Sequence, residues 1–73
     1  MNQPPSIGRI VHYTDTHLTI RAAIITEVGY VGVSLHVFGP SYDEDLKLHE
    51  VQFSEHPAGT QESVDKWSWP ARV

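Results

Sequence analysis

The sequence contains no cysteine. Disulfide bridges and zinc–thiolate sites are thereby excluded, and the absence fits a reducing compartment. Positive charge is also scarce, with five Lys and Arg against nine Asp and Glu, a formal balance of −4. The bases Arg9, Arg21, Lys47, Lys66 and Arg72 are scattered along the chain rather than clustered. A duplex nucleic-acid partner, which is recognised through a concentrated basic surface, is therefore not expected. No apolar run approaches the roughly 18–20 residues that cross a bilayer. The opening Met1-Asn2-Gln3-Pro4-Pro5 lacks the basic and apolar regions of a signal peptide. These absences lead to the expectation of a cytoplasmic protein with no membrane partner.

Catalytic signatures are missing as well. Ser34, Ser41, Ser54, Ser63 and Ser68 have no nucleophile-elbow context. Asp43 and Asp45 share a polar loop without an apolar wall to raise a carboxyl pKa. The five glycines are dispersed, so no glycine-rich phosphate loop exists. Five histidines are many for 73 residues. The stretch His49 to His56 lacks the i, i+4 spacing of a zinc helix, and no metal site or cofactor is expected. His12 and His36 read as outward strand positions, His49 as part of an irregularity, and His17 and His56 as loop residues. Protonating all five moves the formal charge from −4 to +1, mostly around pH ~6.5. The composition therefore points to a binding protein rather than an enzyme.

What is present is β-branched and aromatic sequence in short runs. Residues 1–73 form one domain, with 1–6 held extended by Pro4-Pro5. "IGRIVHY" from Ile7 reads as a first strand and "TDTH" as a turn. In "LTIRAAIITEV", Leu18, Ile20, Ala22 and Ile24 make an apolar face, and Thr19, Arg21, Ala23, Ile25 and Glu27 a mixed one. The strand is expected to be partly covered on both sides. "VGVSLHVF" alternates with Val31, Val33, Leu35 and Val37 inward. "LKLHEVQF" is inward at Leu46 and Leu48, then at Val51 and Phe53, so its parity changes. A β-bulge near His49-Glu50 accounts for that change. Residues 54–63 read as a loop, and "VDKWSW" as a last strand ended by Pro70. The fold class is all-β, an SH3-like or OB-like barrel of about five strands.

Both tryptophans stand in "KWSWP", near the end of the chain. Two apart on a strand, Trp67 and Trp69 face one side. In one reading that side is the barrel interior, and the rings close the open end. In the other, a ring forms a surface platform for a planar ligand or a proline-rich peptide. We expect a division, one indole in the barrel and one at a surface. Tyr13, Tyr30 and Tyr42 are candidates to extend the platform, and Arg9, Arg21 and Arg72 are the available guanidinium groups.

The stretches "PSIGRIVHY", "AAIITEV" and "WSWPARV" resemble a group of small uncharacterised bacteriophage and prophage proteins with a GRIVHY-like start and a W-x-W-P-x-R-V-like end. The loops "YDED" and "EHPAGTQES" depart from that pattern. The resemblance identifies no activity. It implies a phage accessory protein in the host cytoplasm that acts by stoichiometric binding. It falls on Arg9, His12, Tyr13, Trp67, Trp69 and Arg72, which become the candidate ligand-binding residues. The first expectation is a homo-oligomer that sequesters a nucleotide-like signalling ligand at a subunit interface, an anti-defence role. It carries the corollary that Trp67→Ala or Arg9→Ala abolishes binding and spares the fold. The alternative is a protein-interaction module, either a host-protein inhibitor or a virion component. Single-stranded nucleic-acid binding is disfavoured by the negative charge.

Overall fold

Alternating β-branched segments separated by turn residues fold as five strands. A computed structural model describes residues 4–40 and 43–70. The strands are β1 (Ile10–Thr14), β2 (Ile20–Val28), β3 (Val33–Val37), β4 (Leu46–Phe53) and β5 (Lys66–Ser68), with a 3₁₀ turn at Gln61–Ser63. They close into a barrel in sequence order, with β5 returning to β1. That order is a meander and not the Greek key of an OB-fold. An odd number of strands cannot close with every neighbour antiparallel. The one parallel pair here is β4–β5, in register at Phe53↔Trp67, and a parallel pair needs a crossover connection of about a dozen residues. The 54–65 segment supplies it. The all-β barrel expected from the sequence is thus the observed fold. Among the described residues no helix is long and apolar enough to cross a membrane.

Asp15 organises the β1–β2 turn. Its Oδ1 accepts the backbone N–H groups of His17 at 2.9 Å and Thr19 at 3.0 Å, which allows Leu18 to take φ +65°. Backbone pairing runs beyond β1, because Gly8 N–H donates to the Ile25 carbonyl and Ile25 N–H to the Arg9 carbonyl. Gly8 sits at φ +90°, a conformation glycine adopts without a Cβ penalty. Gly32 has a different reason. A Cβ there would lie 2.6 Å from the Val51 carbonyl oxygen, so only glycine lets the start of β3 approach β4 this closely. The bulge expected near His49-Glu50 is present. Leu35 pairs with Leu48 and Val33 with Val51, and Glu50 takes φ +54°.

The core comprises Val11, Tyr13, Ala23, Ile25, Val33, Leu35, Val37, Val51 and Trp67. Several features differ from the sequence reading: in β4, Leu46 and Phe53, expected inward, are exposed, and only Val51 of that set is fully buried. Val31 lies before β3 and is exposed. In β2 the mixed face turns inward: Arg21, Ala23 and Ile25 are buried, while Ile20 and Ala22 are exposed and Ile24 is half-buried. Register decides this, because Ala23 stands between Val11 of β1 and Val37 of β3. The outer face consequently carries the pairs Ile10↔Ile24 and His12↔Ala22, while Thr14, opposite Ile20, is fully buried and its Oγ1 accepts Gly59 N–H at 3.0 Å.

Arg21 is the charged member of the interior, at 5% exposure. Its Nε donates to the Phe38 carbonyl at 3.2 Å and its Nη2 to the Glu44 carbonyl at 2.6 Å. Nη1 lies about 4 Å from the carboxylates of Asp15 and Asp43. Arg21 therefore ties the first turn to the 38–44 loop, and it is not an available ligand cation. Asp45 holds the same loop from its far side, accepting Gly39 N–H at 2.8 Å and meeting His36 Nε2 at 3.0 Å. The Gly39 hydrogen bond, followed by the one to His36, lowers the Asp45 pKa below the usual carboxylate value.

Candidate functional site

Trp67 reaches the core because β5 pairs on both sides, with Tyr13 of β1 and with Phe53 of β4. The residue is 3% exposed. Trp69 follows the strand and is half-buried. It meets Trp67 edge to face, with ring centroids 5.1 Å apart and planes at 88°, the arrangement favoured by aromatic quadrupoles. Phe53 also packs on Trp67, with ring centroids 4.8 Å apart. The expected division between the two indoles is therefore observed. Trp67 belongs to the interior, and Trp69 is at a surface.

These rings form one wall of a cleft of about 480 Å³ at the end of the barrel. The β2–β3 turn contributes Tyr30 and Val31 to its lining, and Pro4 and Pro5 also line it. Tyr30 is fully exposed. Gly29 N–H bonds the Gly32 carbonyl at 2.9 Å and closes the turn, and the Gln52 side-chain amide donates to the Val31 carbonyl. The guanidinium of Arg9 lies 5.1 Å over the Trp69 ring.

The sequence-derived candidates separate into groups. Trp67 and Trp69 line the cleft, whereas Arg9 is not a lining residue and is linked to it through its contact with Trp69. His12 instead lines a second depression with Ile20, His56 and Trp69. Tyr13 is in the core and does not reach the cleft, because its register with Arg21 and Trp67 points it inward. Its hydroxyl donates to Asp65 Oδ1 at 2.9 Å. Arg72 and Tyr42 lie outside the described residues. The sequence reading missed Phe53 as a cleft residue, together with Pro4, Pro5 and Val31. A signal was available for Phe53, since it ends a strand whose inward parity it shares with Val51. The remaining members come from segments distant in sequence that only the barrel brings together. Among the described residues, no group of three His, Asp or Glu side chains is arranged to hold a metal ion.

Burial, and then the hydrogen bond to Asp65, push the Tyr13 phenol up to about 12. The folded state thus retains this proton more strongly than the unfolded chain, whose tyrosines titrate near 10. The associated stability is fully present below pH 10 and is lost as pH rises toward 12. We expect the urea midpoint to fall across that window, and to fall less steeply in Tyr13→Phe. Equal slopes in the two proteins would show that Tyr13 does not carry this dependence.

No protein-family model matches this chain, and no curated protein or solved structure matches it.

Proposed function

We propose that this protein is a non-enzymatic binding module whose aromatic cleft holds a planar, anion-bearing small ligand of the nucleotide type. Trp69, Phe53 and Tyr30 offer ring surfaces, and Arg9 supplies the cation. The observation that carries this reading is the Arg9 guanidinium 5.1 Å from the ring centre of a half-buried tryptophan that also lines a cleft. A planar ring gains about 1–3 kcal/mol from stacking on an aromatic side chain. A guanidinium with five donors accommodates a phosphate alongside its other partners.

The cleft is open, and the ring of Tyr30 projects wholly into solvent. A second copy of the chain would supply the missing wall, so we place the complete site at the interface of a homo-oligomer. Exposed Ile10, Ile20 and Phe38 offer apolar surface for such an assembly. With the phage-like termini, the role that fits is sequestration of a signalling nucleotide in the host bacterial cytoplasm.

A second reading is favoured by one observation. Proline and aromatic side chains line a largely apolar groove, a surface that also suits an extended protein segment. In that case the protein is a host-protein inhibitor or a virion component.

Intrinsic tryptophan fluorescence separates the two. A mononucleotide should quench Trp69, and Arg9→Ala should weaken the response about tenfold while leaving the thermal melt within a few degrees of wild type. Unchanged fluorescence across purine and pyrimidine nucleotides would favour the protein-segment reading.

A further inference from the structure

The second depression, about 430 Å³, shares Trp69 and Phe53 with the aromatic cleft. Its floor follows from strand register. His12 of β1 stands opposite Ser68 of β5, so the two side chains occupy neighbouring positions on the outer face of the sheet. Ile20 and Trp69 are its apolar members, and Glu55 and His56 come from the loop after β4.

Two observations mark this depression as more than a gap between loops. The first is its rigid loop wall. Ser54 Oγ and Ser63 Oγ are 2.9 Å apart in the interior, and Ser63 Oγ lies 2.8 Å from the Pro57 carbonyl. His56 N–H donates back to Ser54 Oγ at 3.1 Å, so the loop is anchored from beneath. The second is Ser68. The residue is 5% exposed, and its hydroxyl is the one buried side-chain polar atom among the described residues with no hydrogen-bond partner. Buried polar groups are nearly always satisfied, and an orphan calls for an explanation. A ligand that completes the bond provides one.

The chemistry of the lining selects the ligand. Lys and Arg are absent from it and Glu55 contributes a carboxylate, so an anionic group is disfavoured. A hydroxyl and two imidazoles each offer both a donor and an acceptor, and Glu55 accepts. The indole gives one flat apolar wall. We propose that this depression is a second binding site, for an uncharged heteroaromatic ring bearing an amino group, a nucleobase-type ring without need of a phosphate. The inference goes beyond the function proposed above and does not require it, because a neutral nucleoside offers no anion to Arg9.

The test is a titration of the ¹⁵N-labelled full chain with adenosine, and in parallel with inosine, which has a carbonyl in place of the amine. The expected result is adenosine-induced shifts at His56, Ala58 and Ser68, with inosine about tenfold weaker, the size of one lost hydrogen bond. Ser68→Ala should melt at or above the wild-type temperature, since it removes an orphan hydroxyl, and should bind adenosine about tenfold more weakly. Glu55→Gln, at an exposed position, should also weaken adenosine and thus provides a second variant. Shifts confined to Tyr30 and Val31, no shifts at millimolar adenosine, or undiminished binding by Ser68→Ala would each overturn the inference. A parallel titration with adenosine monophosphate keeps the two sites distinct. Movement at Tyr30 and Val31 with adenosine monophosphate, together with no shift at Ala58 with adenosine, would sink this site and leave the aromatic cleft standing.

Discussion

Arg21→Ala is expected to leave the chain unfolded at room temperature. Three nitrogens of one guanidinium serve three tasks: Nε on the Phe38 carbonyl, Nη2 on the Glu44 carbonyl, and Nη1 facing Asp15 and Asp43. Truncation leaves carbonyls without donors and a half-buried Asp15 without its counter-charge. Breaking a buried charged pair by removing one partner typically costs 3–5 kcal/mol, by an order-of-magnitude estimate. A core of this size rarely supplies more than about 3–5 kcal/mol in total, so the loss is comparable to the whole stability. Lysine does not rescue the position, because a single ammonium cannot span acceptors arranged for a planar fork. Arg21→Lys should lose about 2 kcal/mol, which lowers the melting temperature by roughly 8–16 °C in a domain of this length. Far-ultraviolet circular dichroism against temperature measures both variants. An Arg21→Ala melt within a few degrees of wild type would mean that the 38–44 loop is held by other contacts.

The second large effect separates the two tryptophans. Trp67→Ala removes a ring from the centre of the core, and such truncations cost about 3–5 kcal/mol, again near the total available. The sequence-based expectation that Trp67 could be truncated with the fold intact is therefore corrected, since Tyr13 and Phe53 flank it in register on both sides. Trp69→Ala removes a half-buried ring and one edge-to-face contact, at a cost of about 1–2 kcal/mol. Trp69→Ala should fold, keep a cooperative melt and lose nucleotide binding at least tenfold. The inverse pattern, a folded Trp67→Ala and an unfolded Trp69→Ala, would place the wrong indole in the core.

The elements that sequence reading located well are those governed by local chemistry. The alternation of Val33, Leu35 and Val37 marks a strand because period two is a backbone property. The parity break between Leu48 and Val51 marks a bulge because no regular strand places both residues inward. The face of β2 was not legible in the same way. Ile20, Ala22 and Ile24 form the more apolar stripe, yet they point outward, since pairing with Val11 and Val37 selects the face bearing Ala23 and Ile25. Burial of Arg21 was hidden for a related reason. Its partners are carbonyls 17 and 23 residues away, supplied by a loop that composition alone marks as solvated. Of the candidate site, the two tryptophans and Arg9 were legible as chemically able residues at the chain ends. The cleft was not, because Pro4, Tyr30, Phe53 and Trp69 come together only when β5 closes the barrel.

Under the proposed function, an oligomer of this chain holds a planar anionic ligand at the cleft lined by Trp69, beside Arg9. Native mass spectrometry of the protein incubated with mono-, di- and cyclic nucleotides tests it most directly, because subunit count and bound mass are read together. The predicted result is a defined oligomer carrying a stoichiometric nucleotide adduct that Trp69→Ala loses. A bare monomer across the whole panel would contradict the claim and turn the assignment to the protein-segment reading of the same cleft.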